Sequence, residues 1–392
     1  MRLFHNKWFV FFSMMFLMKP GAVSGMAALG ALDSLFDIMR IMLCVICLLI
    51  FVKRKVVINK ASITIGLIVC GELWKIVSSI MNGMAYNGWG ATLNTLGITM
   101  FAYLALKQDS KAFFEGGSLL LGSYVIINTL TVLLFPNGMY ASSVYTMNFF
   151  LSYRTAWFIF YLEAAFLCLL NNELYPSKSK RRWLLSVLFC EYLSMVMVWT
   201  ATGLFCITLG LLLIFLWKQN RLKVFSLKTI MLVEIALFFG IVVFQIQEKF
   251  AFIIVYILKK DITFSQRVRI WNNAITAVLN SLWIGYGNMD ASEAASILGY
   301  GVNHAHSYYL NTALYFGIIG LCLGLFTIYY AFSSKMKEHN SENAVTIINL
   351  GMLVSLMTAF QVEGMMSIGY YLCMMYIVAA YLNSNKTRLV QR

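Results

Sequence analysis

The sequence predicts an all-α polytopic membrane protein of about twelve transmembrane helices, with a long outer-face loop between spans nine and ten. Three observations lead there. The chain is 60% hydrophobic and only 12% charged, about half the charge of a water-soluble globule. Apolar runs of roughly 17 to 25 residues, long enough to cross a bilayer, recur along it, and mean hydropathy is +0.76. Lys and Arg gather in alternate connections, as spans that fold back and forth require. A transmembrane barrel would show weaker alternating segments of about 10 residues instead.

The spans follow in order. The first is read near Phe9 to Pro20, behind Arg2 and Lys7. This start is similar to a secretory signal, but no small-residue cleavage site follows, so it is taken as an uncleaved span. The second, Leu35 to Val52, stops at Lys53, Arg54 and Lys55. The third, Ile63 to Met81, is followed by a Gly-rich polar stretch, and the fourth reaches Leu106. The fifth, Phe113 to Phe135, ends in the turn residues Pro136 to Gly138. The sixth runs from Phe149 to Leu170, before the basic run around Lys178 to Arg182. The seventh and eighth, Trp183 to Thr200 and Gly203 to Trp217, form a hairpin. The ninth ends near Gln245, the tenth covers Ser307 to Phe332, and the last two cover Val345 to Phe360 and Ile368 to Leu382. The chain therefore divides into residues 1–246 (spans one to nine), 247–306 (the long segment) and 307–392 (spans ten to twelve with a basic tail).

Charge sets the orientation. With both termini cytoplasmic, about 21 of the 30 Lys and Arg fall in inner loops, as the positive-inside rule demands. The segment 247–306 then lies outside, where ATP and nucleotide sugars are absent. The net charge of +14 is thus a topology signal. No basic patch is interleaved with exposed aromatics, so no nucleic-acid partner is expected. The eight Cys sit almost all in apolar runs and read as small buried hydrophobes. No phosphate-cradling Gly loop appears.

The long segment concentrates the chemical handles. Arg267 and Arg269 precede an amphipathic run from Trp271 to Trp283, which is expected to lie in the membrane interface with both Trp at headgroup level. An Arg there can fork two hydrogen bonds onto a phosphate, or can simply meet lipid headgroups. His304 and His306 stand just before the tenth span. A neutral imidazole there can take a proton from a hydroxyl, can form half of a metal site, or can cap a helix. Arg40, Glu72, Lys75, Glu115, Arg154, Glu163, Glu191 and Glu234 lie inside spans, where each needs a partner or a wet cavity. Glu72 and Lys75, three apart, are expected to neutralise each other. Arg154 is either a second cation for an anionic ligand or the partner of Asp33, Asp37 or Glu363.

The order of these motifs resembles the O-antigen ligase and polymerase superfamily, the Wzy-like polymerases of bacterial surface polysaccharide. The family's core is an Arg, a Trp four residues on, a Gly-Tyr-Gly turn, a His motif ending in Leu, and a Gly-rich span. Here these are Arg267, Trp271, Gly285-Tyr286-Gly287, His306 to Leu310, and Gly317 to Gly320. Two departures stand out: Ser307 replaces the usual Asn, and Thr200-Ala201-Thr202-Gly203 lacks the family's earlier Arg. The resemblance implies a GT-C-like, metal-independent, inverting glycosyltransferase without a cofactor. It would act on a polyprenyl (undecaprenyl) pyrophosphate-linked oligosaccharide at the cytoplasmic membrane. It implies catalysis by His306 and Arg267; Arg154 (in place of the missing family Arg), Arg269, His304, Trp271 and Tyr286 are the candidate substrate-binding residues. A chain-length regulator and a flippase are candidate partners besides the bilayer. The stretch around Arg154 favours polymerase over ligase, and a transporter of lipid-linked sugar is the alternative of another class.

Overall fold

The computed structural model describes residues 2–53, 58–142, 146–154, 156–219, 221, 226–246, 267–299, 301–333, 344–364 and 371–384. The fold is all-helical, with no strand among the described residues. The helices are α1 (Lys7–Leu17), α2 (Gly21–Gly25), α3 (Gly30–Lys53), α4 (Lys60–Met81), α5 (Trp89–Gln108), α6 (Ser110–Leu134), α7 (Phe158–Leu174) and α8 (Lys178–Met197). There follow α9 (Ala201–Lys218), α10 (Leu227–Phe238), α11 (Arg267–Asn280), α12 (Ala291–Leu298), α13 (Tyr308–Phe332), α14 (Ala344–Val362) and α15 (Leu372–Ser384).

Among the described residues, seven helical stretches are long and apolar enough to cross a membrane: Lys7–Gly25, Ala27–Lys53, Lys60–Met81, Ser110–Leu134, Ala201–Lys218, Tyr308–Phe332 and Ala344–Val362. The sequence reading counts twelve. The helices α5, α7, α8, α10 and α15 fall below the same length or hydropathy, and α5 shows why. It buries Thr92, Asn94, Thr95 and Thr99 against other helices, so its sequence need not match lipid. By contrast α3 shows an apolar face, with Ile38, Leu49 and Val52 exposed, as a helix in contact with lipid does.

Several boundaries move. Within the first stretch the helix α1 ends at Leu17, because Pro20 disfavours helix just ahead of it. The sixth begins at Phe158 rather than Phe149. Its first residues form a turn in which Asn148 bridges Tyr140 and Tyr153. Some of the charges inside spans find partners, whereas the fully buried carboxylates of Glu163 and Glu191 make no side-chain hydrogen bond among the described residues. Lys75 Nζ lies 2.6 Å from Glu72 Oε1, and Glu115 is 2.9 Å from Lys180. Glu234 accepts from Gln361 and Thr358, each at 3.0 Å. The Thr200 to Gly203 turn serves packing, with Gly203 set against Met195 and Phe158.

The described part of the long segment is no open loop. Residues 247–266 lie outside the described residues. Beyond them, α11 and α12 build a second hydrophobic core with the first half of α13, separate from the main one. This corrects the interfacial placement of Trp271. Its side chain is fully buried in that core, while Trp283 is 65% exposed. The moment of α11 faces inward because Ile270, Trp271, Ala274 and Val278 bury against α13, leaving Leu279 outside.

The clasp between this segment and α13 fixes the whole region. At Gly317 the helix breaks, with φ 66° and ψ −175°, a conformation open almost only to Gly. The groups freed by the break are taken up one by one. Leu314 O accepts from Tyr286 N at 3.0 Å and Tyr315 O from Gly287 N at 2.7 Å. Phe316 O accepts from Trp74 Nε1 at 2.8 Å. In return, Ile318 N donates to Leu282 O at 2.8 Å. From α4, Ser78 Oγ donates to Ile284 O at 2.6 Å and Ser79 Oγ accepts from Asn288 N at 2.9 Å. The Gly285-Tyr286-Gly287 turn and the Gly-rich span are therefore two halves of one structural device. A Cβ on Gly317 would strike Trp283 O, and one on Gly285 would come within 2.5 Å of Gly317 N. Gly317→Ala is expected to cost about 3 kcal/mol or more, read as a lowered thermal midpoint of the detergent-solubilised protein.

Candidate functional site

The clasp presents the start of α13 beside α11 and the end of α14. Ser307 is the N-cap of α13: its Oγ accepts from Leu310 N at 3.5 Å and donates to Phe360 O of α14 at 3.3 Å. Ser and Asn are both strong N-caps, so the departure at this position keeps the local chemistry. Immediately before the cap, His306 has φ +50°, a left-handed conformation uncommon outside Gly. The His304 and His306 rings lie 4.0 Å apart, centroid to centroid. Both side chains are half-buried. The buried His304 Nδ1 has no partner on another residue among the described residues.

Arg267 opens α11 and reaches across to α14. Its Nη1 donates to Val362 O at 2.5 Å, and its Nη2 lies 3.8 Å from Glu363 Oε1. Arg267 is close enough to act electrostatically on both imidazoles. Burial, the neighbouring His304 and Arg267 push the His306 imidazole down to about 3. His304 is lowered too, mainly by burial, with Arg267 adding to it against a backbone hydrogen bond. Both rings are thus neutral at ordinary pH, which is the form that can accept a proton. Among the described residues no group of three or more His, Cys, Asp or Glu could hold a metal ion.

The structure thus gathers three of the seven residues singled out in the sequence: Arg267, His304 and His306. Trp271 stands directly behind them, its indole donating to Ala305 O at 2.9 Å. Tyr286 is half-buried against the second core, its backbone engaged in the clasp. Arg269 is exposed on α11. Arg154 lies in the turn before α7, within 3.9 Å of Met147 Sδ and over the Tyr153 ring. Among the described residues no carboxylate pairs with it. Asp33 and Asp37 hold Lys19 at 2.7 Å each, and Glu363 faces Arg267. No contact links Arg154 to Arg267 or the imidazoles among the described residues. Two further residues complete the site without having been singled out for it, Glu363 and Asn311. The signal for Asn311 was an amide at the start of an apolar helix, where a buried polar group must find partners.

The molecule is an all-helical, multi-pass membrane protein carrying an arginine and an imidazole pair where α11, α13 and α14 meet. A family model described as O-antigen ligase matches residues 184–325, from α8 through most of α13, and includes Arg267, Trp271, the Gly-Tyr-Gly turn and both His. The matched stretch is therefore similar to the O-antigen ligase family, whose members are glycosyltransferase-like enzymes. No curated protein matches the chain.

Proposed function

We propose that this protein polymerises polyprenyl-pyrophosphate-linked oligosaccharide repeat units on the outer face of the cytoplasmic membrane, through a twelve-span fold with both termini inside. The observation that carries the reading is the meeting of Arg267 with two neutral imidazoles inside the family-matched stretch. In the reaction an acceptor hydroxyl gives its proton to His306 as its oxygen attacks the anomeric carbon of the donor. The bond from that carbon to the phosphate oxygen breaks, and the electron pair leaves with the lipid pyrophosphate. The nucleotide-free donor is already activated, so no ATP is consumed. Arg267 stabilises the charge that grows on the leaving group. Arg154, with no carboxylate partner among the described residues, and the exposed Arg269 supply further positive charge for the pyrophosphate. Trp271 supports the imidazole segment from behind, and Tyr286 lies on the turn beside it.

The polymerase reading is preferred to the ligase on the sequence around Arg154. The test is a cell that assembles the lipid-linked repeat unit from this protein's own biosynthetic cluster but lacks its polymerase. Expression of the wild type is expected to give a ladder of repeats on a gel. A single unit moved to a new acceptor means a ligase. Lipid-linked units trapped inside the cell, with no product, mean a transporter.

A further inference from the structure

Ala305 lies between the two imidazoles, and its peptide is held on both edges. Its N–H donates to Asn311 Oδ1 at 2.6 Å, and its C=O accepts from Trp271 Nε1 at 2.9 Å. The same Asn311 side chain donates through Nδ2 to Gly364 O at 3.4 Å. Gly364 follows Glu363, the residue that faces Arg267. Gly364 also lies against the first imidazole: a Cβ there would come within 2.8 Å of His304 Cδ2 and 2.7 Å of Asn311 Nδ2. Asn311 is fully buried.

From this arrangement we infer that Asn311 is a positioning residue, which holds the imidazole pair in register with the Arg267–Glu363 end of α14. The inference rests on the reading that His306 takes the acceptor's proton. The amide supplies an acceptor to Ala305 and a donor to Gly364 from two separate atoms of one short side chain. Helix packing gives no reason for it, since an apolar residue would fill the same place without an amide to satisfy. The left-handed backbone at His306 adds a second reason. Such a conformation persists only where its surroundings hold it. The two bonds on the Ala305 peptide, one residue before, do that.

The test uses the full chain, purified in detergent, as wild type, Asn311→Ala and Asn311→Asp. The first readout is modification of His304 and His306 by diethyl pyrocarbonate, followed by mass spectrometry, with His5 as internal standard. Asn311→Ala is expected to raise both rates several-fold, and rates equal to wild type overturn the inference. The second readout is steady-state transfer from the polyprenyl-pyrophosphate-linked repeat unit extracted from cells carrying the native cluster. Asn311→Ala is expected to lower kcat on the order of 100-fold with little change in KM, as a small misplacement of catalytic groups does. Asn311→Asp keeps the acceptor for Ala305 N–H but places a carboxylate near His304 and His306, which also face Arg267 and, beyond it, Glu363. It is expected to recover part of kcat and to move the acid limb of the pH profile upward, because a carboxylate favours the imidazolium. An Asn311→Asp profile that overlays wild type overturns the inference even if Asn311→Ala fails to accumulate. Modification rates that change as expected, in a wild type that transfers nothing, leave the positioning role intact and sink the functional reading instead.

Discussion

His306→Ala is expected to lower glycosyl transfer by 10²- to 10⁴-fold, the usual worth of a positioned proton acceptor, or about 3 to 5 kcal/mol. Ala is also rarer than His or Asn at φ +50°, so part of its loss comes from the backbone. His306→Asn separates the two effects. Asn tolerates that conformation, so the variant is expected to reach wild-type abundance while remaining as inactive as Ala. Near-normal polymer from His306→Asn would remove His306 from proton transfer. The pH profile gives a second reading. In the free protein the imidazole is held down to about 3, by burial first and then by His304 and Arg267. It is therefore protonated only below that range, and the acid limb of kcat/KM contributed by His306 lies at low pH. A bound pyrophosphate adds negative charge beside Arg267, which favours the imidazolium. The His306 limb of kcat is therefore expected at higher pH than that of kcat/KM. Coincident limbs would mean that the donor's charge does not reach the imidazole.

Arg267→Ala is the second large effect, expected at 10²- to 10³-fold in kcat, the scale for losing one preorganised donor to developing negative charge. The side chain also holds Val362 O and faces Glu363. Its removal takes the donor from Val362 O, so some loss of abundance is expected with Ala. Arg267→Lys keeps the charge and loses the fork. An intermediate rate with full abundance identifies the charge and its geometry as the functional quantities. A Lys variant as active as wild type would reduce Arg267 to a point charge. An Ala variant as active as wild type, at equal abundance, would remove it from the reaction.

Much of the site was legible in the sequence because its parts are close along the chain. Arg267, Trp271, the Gly-Tyr-Gly turn and His306 lie within forty residues, and their order carries the family pattern. What joins them was not legible. Glu363 and Gly364 come from the end of α14 and meet the site only through folding. Trp271 was misplaced because an amphipathic helix rich in Trp has the same periodicity whether its apolar face meets lipid or a neighbouring helix. The burial of α11 against α13 decided for the helix. The number of spans was harder still, since hydropathy reports contact with lipid. Helices such as α7, whose Glu163 and Asn171 are buried, are sheltered from lipid by their neighbours. Arg154 shows the limit of reading charge by sequence position: all three proposed partners are occupied elsewhere.

The clasp around Gly317 also bears on how the protein is made. Trp74 and Ser78 of α4 leave the ribosome more than two hundred residues before Phe316 and Ile284, the carbonyl-bearing residues they will bind. During that interval their donors sit at the membrane with no permanent partner, where an unsatisfied polar group in lipid costs several kcal/mol. The Gly-Tyr-Gly turn likewise waits with open N–H groups until the break at Gly317, which follows it in the chain, arrives beside it. Neither half is complete alone, so the region closes late and in one step. Chains truncated before residue 320 should then be handed to quality-control proteases as unfinished, even though their early helices have already been inserted.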